Sequence, residues 1–87
     1  MIRKVYPTSH FRNSFKKIPN HVKKSAVEKE KEFIANPFST KLRTHKLKGK
    51  LKDYWAFSVG YEYRILFRFI DDETVLYFDI GTHEIYR

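Results

Sequence analysis

Apolar residues follow a helical spacing in the first part of this chain and a strand spacing in the last part. Phe11, Phe15 and Ile18 fall at i, i+4 and i+7, the stripe of a helix with one buried side. Ser9 is its predicted N-cap. Pro19 and Asn20 interrupt the stripe, and Asn20 is placed to cap a second helix. Val22, Ala26, Phe33 and Ile34 form the apolar side of that helix, and Lys24 with Glu28, four apart, supports its exposed side. Asn36-Pro37 ends it. Ahead of both helices, Ile2 to Tyr6 alternates briefly and reads as a first strand stopped by Pro7. The simplest arrangement is a helical hairpin whose two stripes need a common cover.

The later residues supply that cover. Tyr54–Val59, Tyr63–Ile70 and Thr74–Thr82 are rich in aromatic and β-branched residues and read as strands. Gly60-Tyr61-Glu62 and Asp71-Asp72-Glu73 are short polar connections, which make the three strands an antiparallel meander. In the middle strand Ile65, Phe67 and Phe69 point one way, toward the helices, while Arg64, Leu66 and Arg68 point the other, toward a partly solvated face. The expected fold is α+β: an N-terminal strand, a two-helix hairpin and a three-strand meander, with the helices on one face of a twisted sheet and a basic concave face opposite.

A length of 87 residues supports one core, so residues 1–87 are read as a single domain. Eight Phe and six Tyr make that core dense enough for so small a unit. The chain has no Cys, which rules out a disulfide scaffold, a thiolate metal site and a Cys nucleophile. No Cys/His or carboxylate cluster has metal spacing, so neither a metal nor another cofactor is expected. The longest apolar runs, such as Val75-Leu76-Tyr77-Phe78, are strand-length, and no signal-like segment follows the charged N-terminus. The expectation is a cytoplasmic protein with no membrane partner.

Charge changes the picture most. The net charge is +8, but it is unevenly placed. Residues 41–52 carry Lys41, Arg43, Lys46, Lys48, Lys50 and Lys52 with no acidic residue, and His45 lies among them. Residues 53–87 carry seven acidic and three basic side chains. A basic excess spread evenly serves solubility; six cations within twelve residues read as a surface for phosphates or for an acidic partner.

Three stretches carry a resemblance: His45-Lys46-Leu47-Lys48-Gly49, Tyr61-Glu62-Tyr63-Arg64-Ile65-Leu66-Phe67, and Asp79-Ile80-Gly81-Thr82-His83-Glu84-Ile85-Tyr86. With the order of elements, they resemble the RelE/ParE superfamily of bacterial type II toxins, and the Gly-Thr-His ending is similar to the YafQ-type branch. The resemblance implies a ribosome-dependent messenger-RNA endonuclease that inhibits translation. Its expected partners are messenger RNA, the ribosome and an antitoxin that masks the basic face. It also implies roles: His83 for proton transfer, Arg64 for the scissile phosphate, Tyr86 at the scissile nucleotide, and His45 as the loop histidine of that branch. Ser58 stands where the branch has a second histidine, and Glu62 and Tyr63 stand where it has Asp and Trp. Arg64 with His83 is a hybrid of the RelE and YafQ patterns.

The chemistry fits these residue types. RNA's own 2′-hydroxyl attacks the neighbouring phosphate and expels the 5′-oxygen, so the enzyme must take one proton, give another and stabilise charge on phosphorus. Histidine is suited to proton transfer near neutral pH, and arginine to holding phosphate. On this reading His83 is the general acid, the base is His45 or Tyr86, and Arg64 stabilises the transition state. Lys41, Arg43, Lys46, Lys48, Lys50, Lys52 and Arg68 bind flanking or ribosomal phosphates, and Trp55 and Tyr63 are the candidates to stack on bases. Two other functions share these features: a ParE-type gyrase inhibitor, which needs no proton carriers, and a non-catalytic module that binds RNA or the ribosome.

Overall fold

Thr8 joins the first strand to the first helix, and its hydrogen bonds show how the fold is tied together. In the computed structural model, which describes residues 1–86, the strand β1 (Lys4–Pro7) runs directly into α1 (Ser9–Lys17). The Thr8 N–H donates to the Tyr77 carbonyl at 3.0 Å, extending the strand pairing by one residue. Its hydroxyl donates to the Tyr77 and Phe78 carbonyls at 3.1 Å each and accepts from the Phe11 N–H at 3.0 Å. Thr8, and not Ser9, is therefore the N-cap of α1. The two hydroxyls are locally equivalent, and the bonds to a strand some 70 residues later decide between them. Thr8→Ala should cost about 1–2 kcal/mol, seen as a lower urea midpoint with an unchanged m-value.

The second helix, α2 (Asn20–Ala35), begins on Pro19 instead of on an asparagine cap. Pro19 holds φ −60° and ψ 151°, and its carbonyl accepts from the Val22 and Lys23 N–H groups at 3.0 Å each. Asn20 is the first helical residue and makes no cap bond. After α2 come two short 3₁₀ turns, Thr40–Leu42 and Gly49–Leu51, with the two-residue strand β2 (His45–Lys46) between them. Then follow β3 (Trp55–Val59), β4 (Tyr63–Asp71), β5 (Thr74–Gly81) and a last 3₁₀ turn, His83–Tyr86.

The sheet has five strands in the order β1-β5-β4-β3-β2. The antiparallel meander β3-β4-β5 is its centre. β1 lies parallel to β5, Lys4 beside Thr74 and Pro7 beside Tyr77. β2 lies antiparallel to β3, His45 opposite Ala56. Two residues of alternating sequence carry no periodic signal, which is why β2 is invisible in the pattern.

Phe33 of α2 seats the helix on the sheet. It has no exposed surface, stacks on Phe57 at 4.5 Å and meets Phe67 edge-on at 4.9 Å. Val22, Ala26, Phe57, Val59, Ile65, Phe67, Val75, Tyr77 and Ile80 belong to the same buried cluster. The helices do not close on each other. Between them lies a cleft of about 340 Å³ lined by Val5, Phe11, Phe15, Val27, Glu30 and Tyr77. The Tyr77 hydroxyl, buried beside Glu30, has no partner among the described residues, and burial raises its pKa.

β5 breaks its alternation once. Leu66 pairs with Asp79 but Phe67 with Tyr77, so β5 carries an extra residue. That bulge lets Tyr77 and Ile80, three apart, both face the helices, and turns Phe78 and Asp79 together to the other face. There the Phe78 ring meets His10 at 5.1 Å and Tyr54 at 5.4 Å. Asp79 pairs with the His10 Nε2 at 3.1 Å. Leu66 is 1% exposed yet lies outside the helix-side cluster, so the middle of the second face is covered instead of solvated.

Candidate active site

Arg64 sits at the start of β4 on the face away from the helices, directly between Ser58 of β3 and Gly81 of β5. Its Nη1 donates to the Tyr63 carbonyl at 3.0 Å, which anchors a half-buried guanidinium. Continuing the β2 register back by two residues brings Arg43 beside Ser58, in the same transverse row. Arg43 has φ 52°, the sole non-glycine residue with positive φ among the described residues. That strained conformation ends the Thr40–Leu42 turn and redirects the chain into β2.

Gly81 sets the other side of the site. A Cβ at this position would lie 2.5 Å from the Ile85 Cγ2. Only a residue without a side chain lets the His83–Tyr86 turn fold back this closely over the end of β5. The turn is held by the Ile85 N–H donating to the Thr82 carbonyl at 3.0 Å. Its return brings His83 and Tyr86 beside Arg64.

Two clefts flank Arg64. One, of about 370 Å³, is lined by Arg64, Glu62, Thr82, His83 and Tyr86. The other, of about 420 Å³, is lined by Arg64, Lys29, Lys41, Arg43 and Ser58. Tyr61, at the tip of the β3–β4 hairpin, borders both. The Tyr86 hydroxyl is buried and has no partner among the described residues. Burial raises its pKa, against a smaller lowering by the Arg64 charge, so the phenol keeps its proton at neutral pH and can donate it in a hydrogen bond.

The structure thus gathers Arg64, His83 and Tyr86, with Lys41 and Arg43 next to them. His45 stands apart. It lines neither cleft, and its Nδ1 lies 2.9 Å from the Arg43 carbonyl oxygen. Lys46 of β2 and Lys48, Lys50 and Lys52 beyond it are exposed and line neither cleft, and Arg68 is exposed four residues along β4 on Arg64's side. Trp55 and Tyr63 alternate with the residues of that face and lie on the helix side. Trp55 packs edge-on against Phe38 and Phe69 at 5.5 and 5.6 Å, and Tyr63 lines a groove with His21 and Val22. Neither ring is at Arg64.

Six residues that line the clefts are not among the candidates the sequence singles out: Lys29, Ser58, Gly60, Tyr61, Glu62 and Thr82. Glu62 lies in the β3–β4 turn, just before β4 begins, so strand alternation does not place it beside Arg64. Lys29 carries no sequence signal either, because only the packing of α2 against the β3–β4 turn brings it there. Among the described residues no group of three or more His, Cys, Asp or Glu is placed to hold a metal. No helix among the described residues is long and apolar enough to cross a membrane.

Two helices on a five-strand mixed sheet match the α+β fold of the small toxins of RelE and YafQ type. The family model for the ParE toxin of type II toxin-antitoxin systems matches residues 5–85. The chain belongs to this ParE toxin family, within the RelE/ParE toxin superfamily. No curated protein sequence matches it. Among solved structures it is similar to YafQ from E. coli strain BL21(DE3), with TM-score 0.78, 17% identity and 97% of each chain covered. It is also similar to a chain of the RelBE2 toxin-antitoxin complex from Mycobacterium tuberculosis, with TM-score 0.76, 24% identity and coverage of 95% of this chain and 100% of that one. The YoeB of the YoeB dimer from Staphylococcus aureus matches with TM-score 0.74 and 18% identity, over 92% of this chain and 95% of that one. At these identities the likeness is one of fold.

Proposed function

We propose that this toxin is an endoribonuclease that cuts messenger RNA on the ribosome and so stops translation. The observation that carries the reading is the convergence of Arg64, His83, Tyr86 and Glu62 on one cleft. Arg64 holds the scissile phosphate and offsets the charge that builds on it. The 2′-hydroxyl of the preceding ribose attacks phosphorus and gives its proton to Glu62, the carboxylate of the cleft. The bond from phosphorus to the 5′-oxygen breaks, and His83 protonates that oxygen. Tyr86, kept neutral, donates to a phosphate oxygen. The products are a 2′,3′-cyclic phosphate and a 5′-hydroxyl, and no metal takes part. This assignment moves the base from His45 and Tyr86 to Glu62: His45 lines neither cleft, and a phenol whose pKa is raised is a poor base at neutral pH.

The partner is a cognate antitoxin that covers the basic clefts, with complementary charge speeding association. The toxin-antitoxin complexes among the similar structures, from M. tuberculosis and S. aureus, favour this. The site of action is the cytoplasm, where ribosomes are.

A second reading is favoured by the family model's own name, that of ParE. There the protein inhibits DNA gyrase by binding, and the cleft chemistry is idle. One experiment separates the two. Purified toxin is added to a defined translating ribosome–mRNA complex and cuts are mapped by primer extension, with naked mRNA and a gyrase supercoiling assay in parallel. Cuts in the ribosomal A site are the expected result. Inhibited supercoiling with intact mRNA would replace the nuclease reading with the gyrase one.

A further inference from the structure

The second cleft at Arg64 has no part in the cleavage steps, yet it is the more strongly charged. Lys29, Lys41, Arg43 and Arg64 line it, no carboxylate does, and among the described residues none of the four is in an ion pair. Four cations drawn together without a counter-charge repel one another, and an anion among them removes that cost. The cleft's rim is the Tyr61 ring, 98% exposed at the tip of a turn that Gly60 makes with φ +69°. An inorganic anion or an acidic side chain would satisfy the cations and leave that ring in water. A nucleotide satisfies both, with its phosphate among the cations and its base on the ring.

We propose that the Lys29–Lys41–Arg43 cleft is a second nucleotide subsite, binding the phosphate next to the scissile one, and that Tyr61 is the stacking platform for the base between them. The inference rests on the ribonuclease reading for which phosphate Arg64 holds. It supplies the stacking residue that Trp55 and Tyr63, on the helix side of the sheet, do not.

The probe is adenosine 3′,5′-bisphosphate, titrated into the full chain and followed by amide chemical shifts. Saturable shifts are expected at residues 29, 41, 43, 58 and 61. Tyr61→Ala should weaken the bisphosphate on the order of tenfold, with Tyr61→Phe restoring binding because the ring and not the hydroxyl stacks. Lys29→Ala should weaken it by a similar factor. Both side chains are solvent-accessible, so dispersed spectra of the variants confirm the fold. In ribosome-bound mRNA cleavage Lys29→Ala and Tyr61→Ala should raise KM far more than they lower kcat. Equal responses to inorganic phosphate and bisphosphate with no Tyr61 effect, or shifts elsewhere, would overturn the subsite. So would occupancy of the cleft by an acidic peptide but not by the bisphosphate. Bisphosphate binding as expected in a protein that cuts no mRNA would leave the subsite standing and remove the ribonuclease reading. Cleavage without bisphosphate binding would do the reverse.

Discussion

Arg64→Ala should lower mRNA cleavage on the ribosome by about 10²–10³-fold, the usual cost of losing one preorganised charge-stabilising donor. The loss should fall mainly on kcat, because negative charge on the phosphate oxygens is greatest as phosphorus binds a fifth oxygen. Stability should change little: the guanidinium is half-buried and its hydrogen bond is to the neighbouring Tyr63 carbonyl. Arg64→Lys is the informative companion. A lysine keeps the charge but not the planar pair of donors, so it should recover a small part of the rate. His83→Ala, which removes a proton carrier, should cost 10²-fold or more, on the order seen for general acids. Wild-type cleavage by either alanine variant in single-turnover kinetics would remove that residue from the chemistry.

Gly81→Ala should be nearly as damaging although the glycine touches no RNA. The added methyl meets the Ile85 Cγ2 at 2.5 Å. Ile85 is β-branched and short, so it cannot swing its end aside, and the His83–Tyr86 turn must move. A displacement of about 1 Å at a positioned group is enough for a 10²-fold loss. The strain should cost about 1–3 kcal/mol in stability, which leaves most of the chain folded near room temperature if its total lies in the ordinary range. Gly81→Ala combined with Ile85→Ala removes the clash and should restore much of the rate. No rescue, with both variants folded, would mean that the close approach is not what places His83.

How far the chain announces all this depends on whether the deciding contact is local. The alternation Arg64-Ile65-Leu66-Phe67-Arg68 was readable because β4 is long, central and unbroken over those residues. β5 was harder: nothing in Tyr77-Phe78-Asp79-Ile80 marks the bulge, so Asp79 and Phe78 end on one side against the simple pattern. Thr8 and Ser9 are equal candidates until the β5 carbonyls choose between them. Arg64 and His83 lie at or just beyond strand positions that can share one face, but their meeting depends on the register of Arg64 with Gly81 and on the turn that follows. Lys29 is an ordinary helix lysine until tertiary packing brings it to the cleft.

The pairing of β1 with β5 joins the first strand of the sheet, in chain order, to the last. Lys4 waits for Thr74, and Thr8 for Tyr77, before the sheet edge and the start of α1 can be completed. Contacts this distant in sequence are slow to form and cannot be made piecemeal. The His83–Tyr86 turn lies later still. A nascent chain therefore lacks this cleft until β1, the meander and the His83–Tyr86 turn have all emerged. On the ribonuclease reading, the order of the strands would withhold cleavage until the sheet is complete.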